Sequence, residues 1–195
     1  MKENIKIIDS NNTYIDDTVS IGEGCIIYPG VELRGNTVIG DNTIIDSHTI
    51  IENSKIGSNN KLGPSAHIHT NSIIGDDNVI GNFVEVKESK IGNKNNMKHL
   101  TYCGNATIGN NCNIGCGVVF SNFNYNSDHA HKLETTIGNH VFIGSNSVLC
   151  APLNIDDDSV VGAGSVITDS IPKDSLAIAR SRQVTKENYF KKKIV

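Results

Sequence analysis

The stretch "IDDTVSIGEGCIIYPGVELRGNTVIGDNTIIDSHTII", residues 15–51, carries an aliphatic residue at every sixth position: Ile15, Ile21, Ile27, Leu33, Ile39, Ile45 and Ile51. Four residues after each anchor stands something small or β-branched, such as Val19, Cys25, Val31, Thr37 and Thr43. A helical face repeats its apolar residues at about 3.6 and a half-buried strand at 2. A six-residue period with two inward positions fits neither. It suits a short strand, a corner and another strand. Three such units close a coil of roughly 18 residues, and stacked coils make a parallel β-helix of triangular section in which each backbone bonds to the coils above and below.

The count continues outward from this stretch. Ile56, Leu62, Ile68, Ile74, Ile80 and Val86 form a second series, Ile108, Ile114 and Phe120 a third, and Ile137, Ile143, Leu149, Ile155, Val161 and Ile167 a fourth. Ala66, Cys112, Val118, Ser147 and Ser165 keep the small inward position. Asn and Asp gather after the glycines (Asp41, Asn42, Asn59, Asn60, Asp76, Asp77, Asn110, Asn111), as corners needing unusual backbone angles prefer. The expected fold is an all-β, left-handed parallel β-helix of about eight or nine coils, on the order of 40 Å long at ~4.8 Å per coil. Left-handedness belongs to the hexapeptide form of this helix, against the usual right-handed crossover, and the period itself does not set it.

Four irregularities interrupt the count. Ile51 to Ile56 and Val86 to Ile91 are each one residue short, which a corner absorbs. Between Ile91 and Ile108 lies "MKHLTYCGN", residues 97–105, where the rhythm slips and Lys98, His99, Thr101 and Tyr102 crowd together. Between Phe120 and Ile137, "SNFNYNSDHAHKLETT" has no aliphatic residue at the expected place. Residues 122–134 are read as a loop extruded from the prism. The β-helix is assigned to residues 1–172 and a short basic C-terminal tail to 173–195. Two breaks close together on a stiff support are the pattern of a site; a tolerated insertion is the plainer alternative for either one alone.

Composition narrows the function. The 195 residues are 37% hydrophobic and 5% aromatic with no Trp, so the core must use small aliphatic side chains. A net charge of −4 argues against nucleic acid as a partner. In the tail Arg180, Arg182, Lys186, Lys191, Lys192 and Lys193 face Glu187 alone, which suits either a phosphorylated ligand or a solvated end. No apolar run approaches the ~20 residues of a membrane span, and none resembles a signal peptide. A cytoplasmic location is expected. There the odd set of five cysteines, Cys25, Cys103, Cys112, Cys116 and Cys150, stays reduced.

From Gly63 to about Lys193 the segments "LGPSAHIHTNS", "IGNFVEVKESKIG", "KHLTYCGNATIGNNCNIGCG", "SNFNYN", "KLETTIGNHVFIGSNSVLCAP" and "VVGAGSVITDSIPKDSLAIARSRQ" resemble the acetyltransferase half of the bifunctional GlmU family. "NFVEVK" followed by "HLTY" is the specific part; generic hexapeptide proteins share only the Ile-Gly repeat. The chain begins almost at once with repeats, so the family's uridyltransferase half is not expected. The resemblance implies transfer of an acetyl group from acetyl-CoA to an amino sugar such as glucosamine 1-phosphate, without a metal, in a homotrimer whose sites lie between subunits.

Carried over residue by residue, the resemblance puts the general base on His99. The reaction needs one, because an ammonium has no lone pair and an imidazole with a pKa near ~6.5 accepts its proton at neutral pH. Glu85 is a candidate to orient that imidazole. The sugar-phosphate contacts fall on His69, Lys87, Tyr102, Asn113 and Lys132, and the acetyl-CoA contacts on Cys116, Asn122, Phe123, Ser145, Ala163 and Arg180. His69 stands where the family has a phosphate-clamping Arg, with His67 in place of a second Arg. An imidazole does not reproduce a bidentate guanidinium grip. Cys116 replaces Ala, Phe123 replaces Tyr, and the loop is longer, with His129 and His131 in the added length.

Two other classes compete. A zinc hydratase on the same scaffold would need three His ligands, two of them five residues apart. None of His48, His67, His69, His99, His129, His131 and His140 has a partner at that spacing. A scaffold or binding module without catalysis would need only uninterrupted repeats. Acetyl transfer to a nucleotide-linked or other amino sugar is the alternative within the leading class.

Overall fold

The computed structural model describes residues 4–125 and 131–189. His129 and the Lys191 to Lys193 run fall outside them. Its short strands assemble into three flat faces of ten, nine and eight parallel strands, the three sides of a left-handed β-helix. Face A runs from Lys6–Ile7 to Leu176–Ala177, face B from Tyr14–Ile15 to Val166–Ile167, and face C from Ser20–Ile21 to Leu153–Ile155. The chain visits A, B and C in turn, so each strand pairs with its counterpart one coil away. Leu62, for example, lies between Ile45 and Ile80. The last face A strand, Leu176–Ala177, pairs with Val160–Val161 beyond residue 172.

The hexad anchors are the core. Ile27, Leu33, Ile45, Ile51, Ile68, Phe120, Leu149 and Val161 are completely buried, and so are the small partners Cys25, Val31, Thr37, Thr43, Val118, Ser147 and Ser165. Each fully buried Ile or Leu contributes about 1.5–3 kcal/mol relative to exposure. Together they offset the ordering of a chain poor in aromatic residues.

The rhythm does not break at residues 97–105. Met97 and Cys103 take the inward positions, with 1% and 0% of their surface exposed. Thioether and thiol are soft and apolar enough to replace Ile in the column. Counting only branched aliphatics hides them. What remains is one residue missing between Cys103 and Ile108, at the corner taken by Asn105 at φ +50°.

A second correction concerns polar residues inside. Asn60, expected at a corner, is buried, and so are Asn78 and Asn95 in the next two coils. Their Nδ2 groups donate to the carbonyls of Gly75, Gly92 and Gly109, each at 2.9 Å. Their Oδ1 atoms accept the N–H groups of Asn78, Asn95 and Cys112 at 2.8, 2.8 and 2.7 Å. Every amide group of this ladder is satisfied, which is what makes its burial affordable.

The extruded segment leaves face B after Ser121. Phe123–Asn124 and His131–Lys132 pair as an antiparallel hairpin, with Phe123 opposite Lys132 and Asn124 opposite His131. It re-enters at Thr135–Ile137 on face C.

Candidate functional site

The edge between faces A and B is built by close backbone stacking. His99 ends the face A strand Asn96–His99, and Tyr102 begins the next strand of face B. Down this edge one backbone hydrogen bond links each coil to its neighbour: Leu100 N–H to the Asn82 carbonyl at 2.9 Å, Gly117 N–H to His99 at 3.4 Å, Asn146 N–H to Cys116 at 2.8 Å and Gly164 N–H to Ser145 at 2.8 Å. His99, Cys116, Ser145 and Ala163 therefore occupy one column in consecutive coils. The glycines before them make this possible. A Cβ on Gly115 would stand 2.5 Å from the Ser145 nitrogen, and one on Gly144 would stand 2.4 Å from the Ala163 nitrogen. Arg180 continues the column, its Cδ 3.9 Å from the place of a Cβ on Gly164.

His99, Ser145, Ala163 and Arg180 are exposed and Cys116 is half-buried. Among the described residues the His99 imidazole has no hydrogen-bond partner. Exposed Phe83 and Leu100, 60% and 58% accessible, flank it on the same edge. A free imidazole between apolar neighbours is equipped to take a proton from a ligand laid along the edge.

A second group gathers toward the opposite edge of face B. His69 and Lys87 are paired in register in adjacent coils, and Tyr102 lies opposite Glu85. The amide Nδ2 of Asn122, at the B/C edge where the hairpin departs, is 3.4 Å from the Tyr102 hydroxyl and donates to Asn105 Oδ1 at 2.7 Å. Lys132 reaches back from the hairpin to Glu88 at 3.1 Å. That hydrogen bond, helped by one from Asn105, holds the Glu88 carboxyl below its usual pKa. Phe123 is exposed on the same hairpin.

Of the predicted residues, His99, Cys116, Ser145, Ala163 and Arg180 thus share the A/B edge. His69, Lys87, Tyr102, Asn122, Phe123 and Lys132 lie on face B and its far edge. Asn113 belongs to neither group: it lies on face A between Asn96 and Phe142. One chain does not bring the two groups onto one edge.

Glu85 does not meet His99. Its carboxylate Oε1 lies 3.2 Å from His69 Nε2, because both side chains project from face B while His99 stands at the A/B edge. His69 is surrounded: Glu52 Oε1 is 3.9 Å from Nδ1, Thr70 Oγ1 is 2.9 Å from Nδ1, and the His67 ring stacks on it at 4.1 Å with an interplanar angle of 10°. Burial, and then the charge of His69, push the His67 pKa below its ordinary value. In the sequence His67 and His69 read as replaced arginines and, for want of a partner five residues away, as no zinc ligands; neither reading brings them to Glu52 and Glu85. The signal available was the His-x-His spacing itself, since alternate residues of a strand share one face.

Residues 2–102 match the family described as the GMPPB C-terminal domain, and residues 134–169 match the bacterial transferase hexapeptide (six repeats). The bifunctional protein GlmU of Pediococcus pentosaceus is 44% identical over 98% of this chain, and that of Clostridium tetani 45% identical over 99%. The chain belongs to the GlmU-like hexapeptide-repeat family. The GlmU-like chain spans 44% and 45% of the length of those two relatives. The similarity covers nearly the whole chain, more than the motifs from residue 63 onward. Among solved structures, LpxA from Bacteroides fragilis, a UDP-N-acetylglucosamine acyltransferase, superposes with a TM-score of 0.74 at 24% identity, covering 89% of the GlmU-like chain and 71% of its own. The UDP-N-acetylglucosamine acyltransferase from Campylobacter jejuni gives 0.55 at 15%, over 91% and 71%. These two likenesses establish the fold. No helix among the described residues is long and apolar enough to cross a membrane.

Proposed function

We propose that the protein is an N-acetyltransferase that moves the acetyl group of acetyl-CoA to the amine of an amino sugar, with glucosamine 1-phosphate as the leading acceptor. The observation that carries this reading is the A/B edge: an unpaired imidazole, a run of small residues and a guanidinium in consecutive coils. An extended thioester arm fits such an edge, because Cys116, Ser145 and Ala163 leave room beside the backbone and Arg180 supplies a fixed positive charge for a coenzyme phosphate.

His99 takes a proton from the acceptor's ammonium, which frees the nitrogen lone pair. His99 hands that first proton to solvent. The lone pair forms the new bond to the thioester carbonyl carbon as the carbon–sulfur bond breaks, and the second proton, acidic once the nitrogen is acylated, passes through His99 to the departing thiolate, leaving a neutral amide and a free thiol. Ser145 Oγ–H donates to the thioester oxygen as negative charge grows on it, a contact strengthened in the transition state. Lys87 and Lys132 provide charge for an anionic acceptor and Tyr102 a directional hydrogen bond to its hydroxyls, while Asn113, carried on face A, would add one from the adjoining copy. His69, held between Glu52 and Glu85, offers a weaker anion grip than a guanidinium would. The acceptor series therefore includes glucosamine 6-phosphate and nucleotide-linked amino sugars.

The two groups of residues lie on opposite edges of face B, so the complete site is assigned to the junction of two copies in a homotrimer. The exposed apolar side chains Phe83, Leu100, Val119 and Phe142 on and beside these faces support that assembly. The test is steady-state acetyl transfer with each acceptor. Turnover of an amino sugar with thiol release is expected; failure with every acceptor, alongside no binding of acetyl-CoA, contradicts the reading.

A further inference from the structure

We propose that His67, His69 and Glu52, with Glu85 as a fourth donor, form a binding site for a divalent transition-metal ion of the zinc class on face B. The proposal goes beyond acetyl transfer and does not depend on it. His67 and His69 are alternate residues of the strand His67–His69, so both project from the same side. Register places Glu85 beside His67 in the next coil, while Glu52 follows the pairing Ile51–Ile68 and so lies beside His69 in the coil before. Two carboxylates thereby bracket two imidazoles on a diagonal.

The donors already converge. One ligand atom each from Glu52, His67 and His69 lies within 4.8 Å of the others, and among the described residues no other group of His, Cys, Asp and Glu does this. Glu85 Oε1 and Glu52 Oε1 stand 3.2 and 3.9 Å from the two ring nitrogens of His69. With metal–donor bonds near 2.0–2.1 Å, a tetrahedral site needs donors roughly 3.4 Å apart, so the Glu52, His67 and His69 set closes by movements of somewhat over an ångström, while Glu85, which faces the other ring nitrogen of His69, must swing round to join it. The carboxylates can supply them: the His69 side chain is 12% exposed and fixed, while those of Glu52 and Glu85 are 34% and 44% exposed.

The chemistry of the set selects the ion. Imidazole nitrogen with carboxylate oxygen favours zinc-like ions over calcium or magnesium, which take all-oxygen shells. Two carboxylates balance a 2+ charge. Of the cations in the same column, Arg34 is turned toward Glu32, with which it forms an ion pair, and Lys87 stands one coil beyond His69. In the unliganded chain the two rings are stacked and Thr70 Oγ1 is 2.9 Å from His69 Nδ1. Because the in-plane lone pairs of parallel rings do not converge, binding turns the more exposed His67 ring out of the stack toward the ion.

The experiment is titration of the chelator-stripped full chain with Zn2+ by calorimetry and with Co2+ by visible absorption. One ion per chain and the intense band of tetrahedral Co2+ are expected. His67→Ala and His69→Ala should each weaken binding at least 100-fold, and Glu52→Gln at least tenfold. His140→Ala removes an imidazole paired with Asp158 at another corner and should leave affinity unchanged within twofold. Circular dichroism confirms that each variant is folded, and Glu52→Gln, the mildest, keeps the test open if an imidazole variant is not. Absence of saturable binding, or equal affinity in the wild type and the folded cluster variants, overturns the site. Both readouts are independent of acetyl transfer, so an inactive enzyme that binds the ion still supports it.

Discussion

Cys116 stands directly over His99 on the A/B edge, the Gly117 N–H donating to the His99 carbonyl across 3.4 Å. A bulky side chain at 116 therefore lies in the path of anything reaching the imidazole along that edge. Cys116→Trp is expected to raise the KM for acetyl-CoA at least tenfold while the melting temperature changes little, because position 116 is half-exposed. Kinetics and a thermal melt of the variant check this.

Arg180 should act on binding alone. Loss of a charge-assisted contact of about 1.5–3 kcal/mol corresponds to roughly a 10- to 150-fold rise in the KM for acetyl-CoA on Arg180→Ala. kcat should stay within threefold, measured at saturating acceptor.

The stacking at Gly144 is a matter of stability. A methyl there meets the Ala163 nitrogen at 2.4 Å, backbone that cannot rotate away. Gly144→Ala is expected to cost about 1–3 kcal/mol, as overpacking generally does. At about 2–4 °C per kcal/mol for a chain of this size, calorimetry should find the transition lowered by several degrees.

Cys103 should make the fold alkali-sensitive. It is wholly buried, and burial pushes its thiol up to about 12 from 9.0. The folded state holds the proton where the unfolded state has released it, so its contribution is intact below about pH 9 and is lost as pH rises toward 12, by up to about 1.4 kcal/mol per pH unit. Urea midpoints compared at pH 8 and pH 10.5 should fall further for the wild type than for Cys103→Ala. Under native conditions thiol reagents should reach Cys116 and Cys150, which are partly exposed, before the buried Cys25, Cys103 and Cys112.

If sites form between copies, inactive variants should complement one another. His99→Ala and Lys87→Ala chains, unfolded and reassembled together at equal amounts, are expected to regain about one quarter of wild-type activity, the fraction of junctions with both residues intact in a random trimer. Recovery absent from a mixture shown by sedimentation to be trimeric would mean that each chain carries its own site.

The repeat was legible because an inward position tolerates few residue types, and Ile27, Leu33 and Ile45 announce themselves every six residues. Met97 and Cys103 did not, since volume and polarity, not branching, decide what fills a coil. The A/B column was legible only through family resemblance: nothing in the spacing of Cys116 and Ser145, with a hairpin between them, says that they are neighbours. Glu85 illustrates the limit. Its nearness in sequence to Lys87 says nothing about which corner its carboxylate faces, and register gives it to His69. The His67, His69 and Glu52 cluster needs contacts between coils, which no local pattern displays.

The account stands on His99 as the proton acceptor. The most direct measurement is kcat for acetyl transfer by His99→Asn, with the KM for acetyl-CoA determined on the same preparation. A loss of about 10²–10⁴ in kcat with that KM within threefold is predicted, the usual contribution of a positioned base. A kcat within twofold of the wild type would contradict it.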